Sequence, residues 1–122
     1  MLYNIDGKDV TRIPHRQQYD KCRAILSDED YYRAVDAINK YINTKDVFIS
    51  SYIPGPDWTN TPYHPLYLAC QQNADRAGLF FGQIVWDTVM KREDDWCFLP
   101  ADKDFDDVIG MKYFRKTDDA RG

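Results

Sequence analysis

The segment Pro54-Gly55-Pro56-Asp57-Trp58-Thr59-Asn60-Thr61-Pro62-Tyr63-His64-Pro65 constrains this chain more than any other. Four of the six prolines fall within it. Proline fixes φ and removes a backbone donor, so neither a helix nor a central strand is expected to run through these residues. A connection this long is uncommon in a chain of 122 residues, and such connections often carry function. It also holds a Trp, a Tyr and one of the two histidines. Tyr and Trp combine apolar area with a polar tip, which suits binding surfaces. Trp58, Tyr63 and Tyr67 are therefore the aromatics expected to be exposed on or beside the loop, with His64 among them. The competing expectation is that the loop folds down and its aromatics seal the core.

The segments around the loop read as a mixture of helices and strands. Leu2 to Ile5 and Lys8 to Val10 flank Asp6-Gly7, a hairpin signal. Pro14 suits a first helical turn, and Tyr19, Cys22, Ile25 and Leu26 recur at helical spacing, predicting a helix near 15–26. Ser27-Asp28-Glu29-Asp30 resembles a capping box, with three carboxylates at the positive end of a helix over 28–43. Tyr31, Ala34, Val35, Ile38 and Ile42 form its apolar face. Val47 to Ile53 is β-branched and aromatic and stops at Pro54, as a strand would. Pro65 can open a short helix through Gln72.

Ala74 to Arg92 can be read as a long strand or a helix. Leu79-Phe80-Phe81 and Ile84-Val85-Trp86 break a period of two, which favours the helix. That helix has one narrow polar stripe, Arg76, Gln83, Asp87 and Lys91, and is otherwise apolar, so most of it is expected to be buried. Trp96 to Leu99 reads as a strand, Ala101 to Asp107 as an acidic loop, Ile109 to Lys116 as a last strand and Thr117 to Gly122 as a polar tail. The expected fold is one helix-rich α+β domain over 1–122. A small antiparallel sheet (47–53, 96–99, 109–116) would be covered on one face by the helices.

Apolar residues make up 43% and charged residues 30% of the chain, a globular composition that argues against disorder. No stretch approaches the ~20 apolar residues of a membrane span, and no secretory signal is visible at the N-terminus. Cys22, Cys70 and Cys97 are odd in number and far apart, without a C-x-x-C, which argues against a disulfide framework and a cysteine-only zinc site. Cys70 and Cys97 sit among apolar residues and read as small core hydrophobes. A reducing cytoplasm fits. The net charge of −4 is unevenly spread. Residues 93–107 hold seven acids against Lys103 alone, which disfavours a phosphate backbone there.

Motifs of catalysis are sparse. Asp102-x-Asp104-x-Asp106 opens like a calcium loop, but Asp107 stands at the glycine position and Tyr113 at the closing glutamate. Asp102 and Asp104 are better read as part of a solvated or partner-facing acidic patch. No phosphate cradle, G-x-S-x-G or H-E-x-x-H occurs, so neither cofactor nor metal is expected. His15 and His64 are candidates for acid–base work, and Cys70 for pairing with His64, but nothing in the sequence places them together. Lys112-Tyr113-Phe114-Arg115-Lys116 interleaves bases with aromatics, as a single-strand-binding surface does. The acidic run upstream argues against nucleic acid.

The leading expectation is a small cytoplasmic non-catalytic module of prokaryotic type. It would recognise a protein partner or a small ligand through Trp58, Tyr63, His64, Tyr67 and the acidic patch. The enzyme alternative is a hydrolase or lyase using His64 with nearby carboxylates; a further one is single-stranded nucleic-acid binding through 112–116. The sequence sets neither the partner nor the oligomeric state.

Overall fold

Helix α2 spans Asp28–Asn43 and begins where its capping signal falls. Ser27 Oγ accepts from the Asp30 backbone N–H at 3.1 Å, satisfying one of the donors a helix start leaves open. Ser27→Ala is expected to cost ~1 kcal/mol; an unchanged urea midpoint would remove the cap from the account. Tyr31, Ala34, Ile38 and Ile42 on this helix are buried. The computed structural model of the protein describes residues 1–55, 57–100 and 110–116. The acidic loop at 101–107 and the tail at 117–122 lie outside the described residues.

The element order is β1 (Leu2–Tyr3), α1 (Arg16–Ile25), α2, β2 (Val47–Ile49), a 3-10 turn (Ser50–Tyr52), α3 (His64–Ala69), α4 (Ala74–Lys91), β3 (Trp96–Pro100) and β4 (Met111–Arg115). The protein is thus a helix-rich α+β fold. Among the described residues no helix is long and apolar enough to cross a membrane. Residues 74–91 are helical, and the reason is burial. An 18-residue helix lying through the core hides Ala77, Phe80, Phe81, Ile84, Val85, Trp86 and Val89 on several sides at once. Asn73 caps it, accepting from the Arg76 N–H at 3.1 Å.

The sheet has the order β1-β3-β4-β2 and is mixed, not purely antiparallel. β2 and β3 flank β4 antiparallel, while β1 joins β3 in parallel, Leu2 opposite Trp96. The expected first hairpin does close. Asn4 N–H donates to Lys8 O at 2.9 Å, and Gly7, at φ 84°, takes the left-handed position of a three-residue turn. Its second arm makes only one bridge, Tyr3 to Asp9; the lasting partner of β1 is β3.

Two further boundaries differ from the sequence reading. The strand expected over 47–53 stops at Ile49, and the chain coils into the 3-10 turn with Ser50 fully buried. Pro14 precedes α1 instead of opening it, and His15 stands at the cap with φ 55°. Leu2, Phe48, Trp96, Met111 and Tyr113 form the inner face of the sheet, packed with α2 and α4 in one core. Tyr41 meets Phe48 edge-on at 6.1 Å, and Trp86 meets Phe98 at 4.6 Å.

Candidate functional site

The described residues between Ile53 and Tyr63 have no regular structure, yet their own bonds hold them. Asp57 Oδ1 accepts from the Thr59 N–H at 3.0 Å. Thr61 Oγ1 donates to Trp58 O at 2.7 Å and accepts from the Tyr63 N–H at 3.2 Å. Gly55 and Asn60 take left-handed φ values of 69° and 61°. Nothing lies within 4 Å of a Cβ built on Gly55, so backbone conformation rather than crowding favours glycine there. The Trp58 indole N–H donates to Gly55 O at 3.1 Å, which fixes the ring.

The loop aromatics divide between core and surface. Tyr63, expected to be exposed, is buried, and its ring meets Phe81 edge-on at 5.0 Å. This corrects its assignment as a contact residue: α3 must seal against α4, and Tyr63 is the side chain that turns inward to do it. Trp58 is half-buried, its ring tilted against Phe81 with centroids 5.7 Å apart. His64 and Tyr67, one turn apart on α3, are near-parallel rings with centroids 6.2 Å apart. Trp58, His64 and Tyr67 line a single cleft of about 390 Å³ with Asp57, Thr59, Ala74 and Ala77. The Thr59 N–H and hydroxyl, with a smaller contribution from His64, hold the Asp57 carboxyl below its usual range, so it is an anion at neutral pH.

The other expected participants lie elsewhere. Cys70 is buried against Cys22 and does not line this cleft; burial raises its thiol pKa. His15 does not line it either. Glu93 and Asp94 line a different and larger cleft of about 530 Å³, with Tyr31, Tyr32, Asp87, Lys91 and Arg92. Asp94 is held by Arg92 at 2.8 Å and by Arg115. Asp102 and Asp104 fall outside the described residues. Arg115 is committed to Asp94 and lies over the Trp96 ring at 4.5 Å, and Lys116 lies over the Tyr3 ring at 4.4 Å.

The polar stripe of α4 is solvated only at its ends, where Arg76 and Lys91 are exposed; its middle is buried. Gln83 is fully buried, and its Nε2 donates to Pro14 O at 2.6 Å and to His15 O at 2.9 Å. Asp87 is also buried, and its Oδ2 accepts from the Tyr31 hydroxyl at 3.2 Å and Lys91 Nζ at 2.9 Å. The Tyr19 hydroxyl stands 3.0 Å from that of Tyr31. Burial, with these neighbours, pushes the Tyr31 hydroxyl well above its usual range. Sequence reasoning passed over this cluster. Its signal was an acid and an amide inside an otherwise apolar helix, which need buried partners when that helix is central.

The fold and the cleft together define a helix-rich α+β domain with an aromatic surface site beside a braced proline loop. Comparison with protein-family models, curated proteins and solved structures found no match.

Proposed function

We propose that this protein is a small cytoplasmic binding module that takes a protein segment or a small ligand into the cleft between loop 54–65 and α3. One observation carries the reading: Trp58, His64 and Tyr67, expected from sequence as contact residues, line the same concavity. Two aromatic faces, an imidazole and one carboxylate suit a ligand with a flat apolar body and a cationic or hydrogen-donating group. The loop is braced before binding, so little conformational entropy is lost when a ligand arrives.

The hydrolase or lyase alternative keeps a narrower basis. Among the described residues Asp57 is the one carboxylate lining the cleft with His64, and Glu93 and Asp94 line the other. The nucleic-acid alternative loses Arg115, whose guanidinium is engaged by Asp94 and Asp46.

A fragment screen read by amide and indole N–H chemical shifts tests the proposal. Hits are expected to cluster on the Trp58 indole, His64 and Tyr67. Trp58→Ala is expected to weaken them by ~2 kcal/mol or more, about thirtyfold in Kd. Hits that gather instead around Tyr32 and Lys91 would move the site to the larger cleft.

A further inference from the structure

Cys22 and Cys70 are 48 positions apart, yet their sulfurs lie 2.9 Å from each other. Cys22 faces inward near the end of α1, and Cys70 is the capping residue just after α3. Both line a cleft of about 320 Å³ with Lys21, Ile25, Ala69, Gln71 and Arg76. Cys97 lies on β3, apart from this pair.

We infer that Cys22 and Cys70 are a redox couple, which a hydroperoxide closes into a disulfide joining α1 to the end of α3. Three features support it. A disulfide needs its sulfurs at ~2.05 Å, so from 2.9 Å they have to approach by about 0.9 Å more. The cleft gives a small oxidant access to Cys22, the less buried of the two at 9% against 1% exposed. Next to Cys70, Gln71 and Gln72 hold left-handed φ values of 59° and 58°. That is uncommon for non-glycine residues and is a strained backbone able to relax as the sulfurs close.

The chemistry balances in two steps. The Cys22 thiolate attacks the distal oxygen of hydrogen peroxide and breaks the O–O bond; with one proton the hydroxide leaves as water, and Cys22 becomes a sulfenic acid. Cys70 sulfur then attacks Cys22 sulfur; the S–O bond breaks, and the hydroxide leaves as water with the Cys70 proton. Two thiols are oxidised and one peroxide is reduced to two waters. In a reducing compartment the bond reverses by exchange with small thiols, as a sensing disulfide does.

The test treats the whole protein with a small excess of hydrogen peroxide, quenches it, unfolds it and alkylates what remains. Of the three cysteines, Cys97 alone is expected to take the label. The mass before alkylation is expected to fall by two hydrogens, and digestion to yield one peptide pair joined through Cys22 and Cys70. Dithiothreitol is expected to restore all labelling, and the oxidised protein to unfold at a higher urea midpoint than the reduced one. Cys97→Ser is expected to leave the linkage intact, and Cys22→Ser or Cys70→Ser to abolish it. Full labelling at all three cysteines after peroxide, oxygen adducts without a joined peptide, or linkage through Cys97 would each overturn the inference. The peptide map of the unmutated protein decides the matter even if a serine variant fails to fold.

Discussion

Phe81→Ala is expected to destabilise the protein by ~3–5 kcal/mol, the cost of removing a large aromatic from a packed core. Phe81 is buried on α4 and meets two loop aromatics, Tyr63 at 5.0 Å and Trp58 at 5.7 Å. Its loss leaves a void between α4 and the segment leading into α3. Domains are stable by only ~5–15 kcal/mol, so this one change removes a large part of the total. The paired experiment is Trp58→Ala. Trp58 is half-buried where Phe81 is buried, so its removal is expected to cost less stability than Phe81→Ala and to weaken binding in the cleft. Urea denaturation of both variants checks the order. A Trp58→Ala variant as unstable as Phe81→Ala would make Trp58 a core plug and leave the loop without its recognition role.

Asp94→Ala is expected to cost ~1.5–3 kcal/mol at neutral pH, the range for hydrogen bonds to charged groups. Asp94 joins three parts of the fold. Arg92 grips it with two nitrogens while also reaching Asn39 and Asn43 on α2 at 2.8 Å. Arg115 on β4 holds the same carboxylate. Hydrogen bonds from Arg92 foremost, and from Arg115, hold the folded Asp94 pKa far below the ordinary carboxyl value, against an opposing effect of desolvation. Its stabilisation is therefore fully present above the unfolded value near ~3.9 and drains away as the pH falls through that value toward the folded one. Denaturation at about pH 7 and about pH 3 is expected to show a smaller acid loss in Asp94→Asn than in the unmutated protein. Equal acid losses in the two would remove Asp94 from the acid-labile groups.

Local signals carried far in this chain. The Ser27 cap and the spacing of Tyr31, Ala34, Ile38 and Ile42 set α2 to its observed bounds, because a helix start and an amphipathic face are written within a few consecutive residues. The prolines of 54–65 kept helix and strand out of the described residues ahead of α3, and the aromatic content on and beside that loop pointed to Trp58, Tyr63, His64 and Tyr67, of which Tyr63 is buried. The apolar stretch 74–91 was legible as a helix only by rejecting a period of two. Its central position was implied by how few polar residues it had.

The rest depended on distance in space. Tyr63 and Trp58 are neighbours of similar chemistry, and only the direction from which Phe81 approaches decides that one is buried and the other half-exposed. Asp87 looks like half of a surface pair with Lys91 until Tyr31 arrives from α2. β1 looked like a hairpin arm, yet it pairs with β3 from the far end of the chain. Cys22 and Cys70 looked unrelated until α1 and α3 packed together. By itself the sequence determined the helices, the loop and their residue chemistry, because these follow from backbone restriction and short-range periodicity. Only the tertiary structure decided which polar groups are buried together, which aromatics remain on the surface and which thiols meet, because those outcomes depend on contacts between segments that no local pattern specifies.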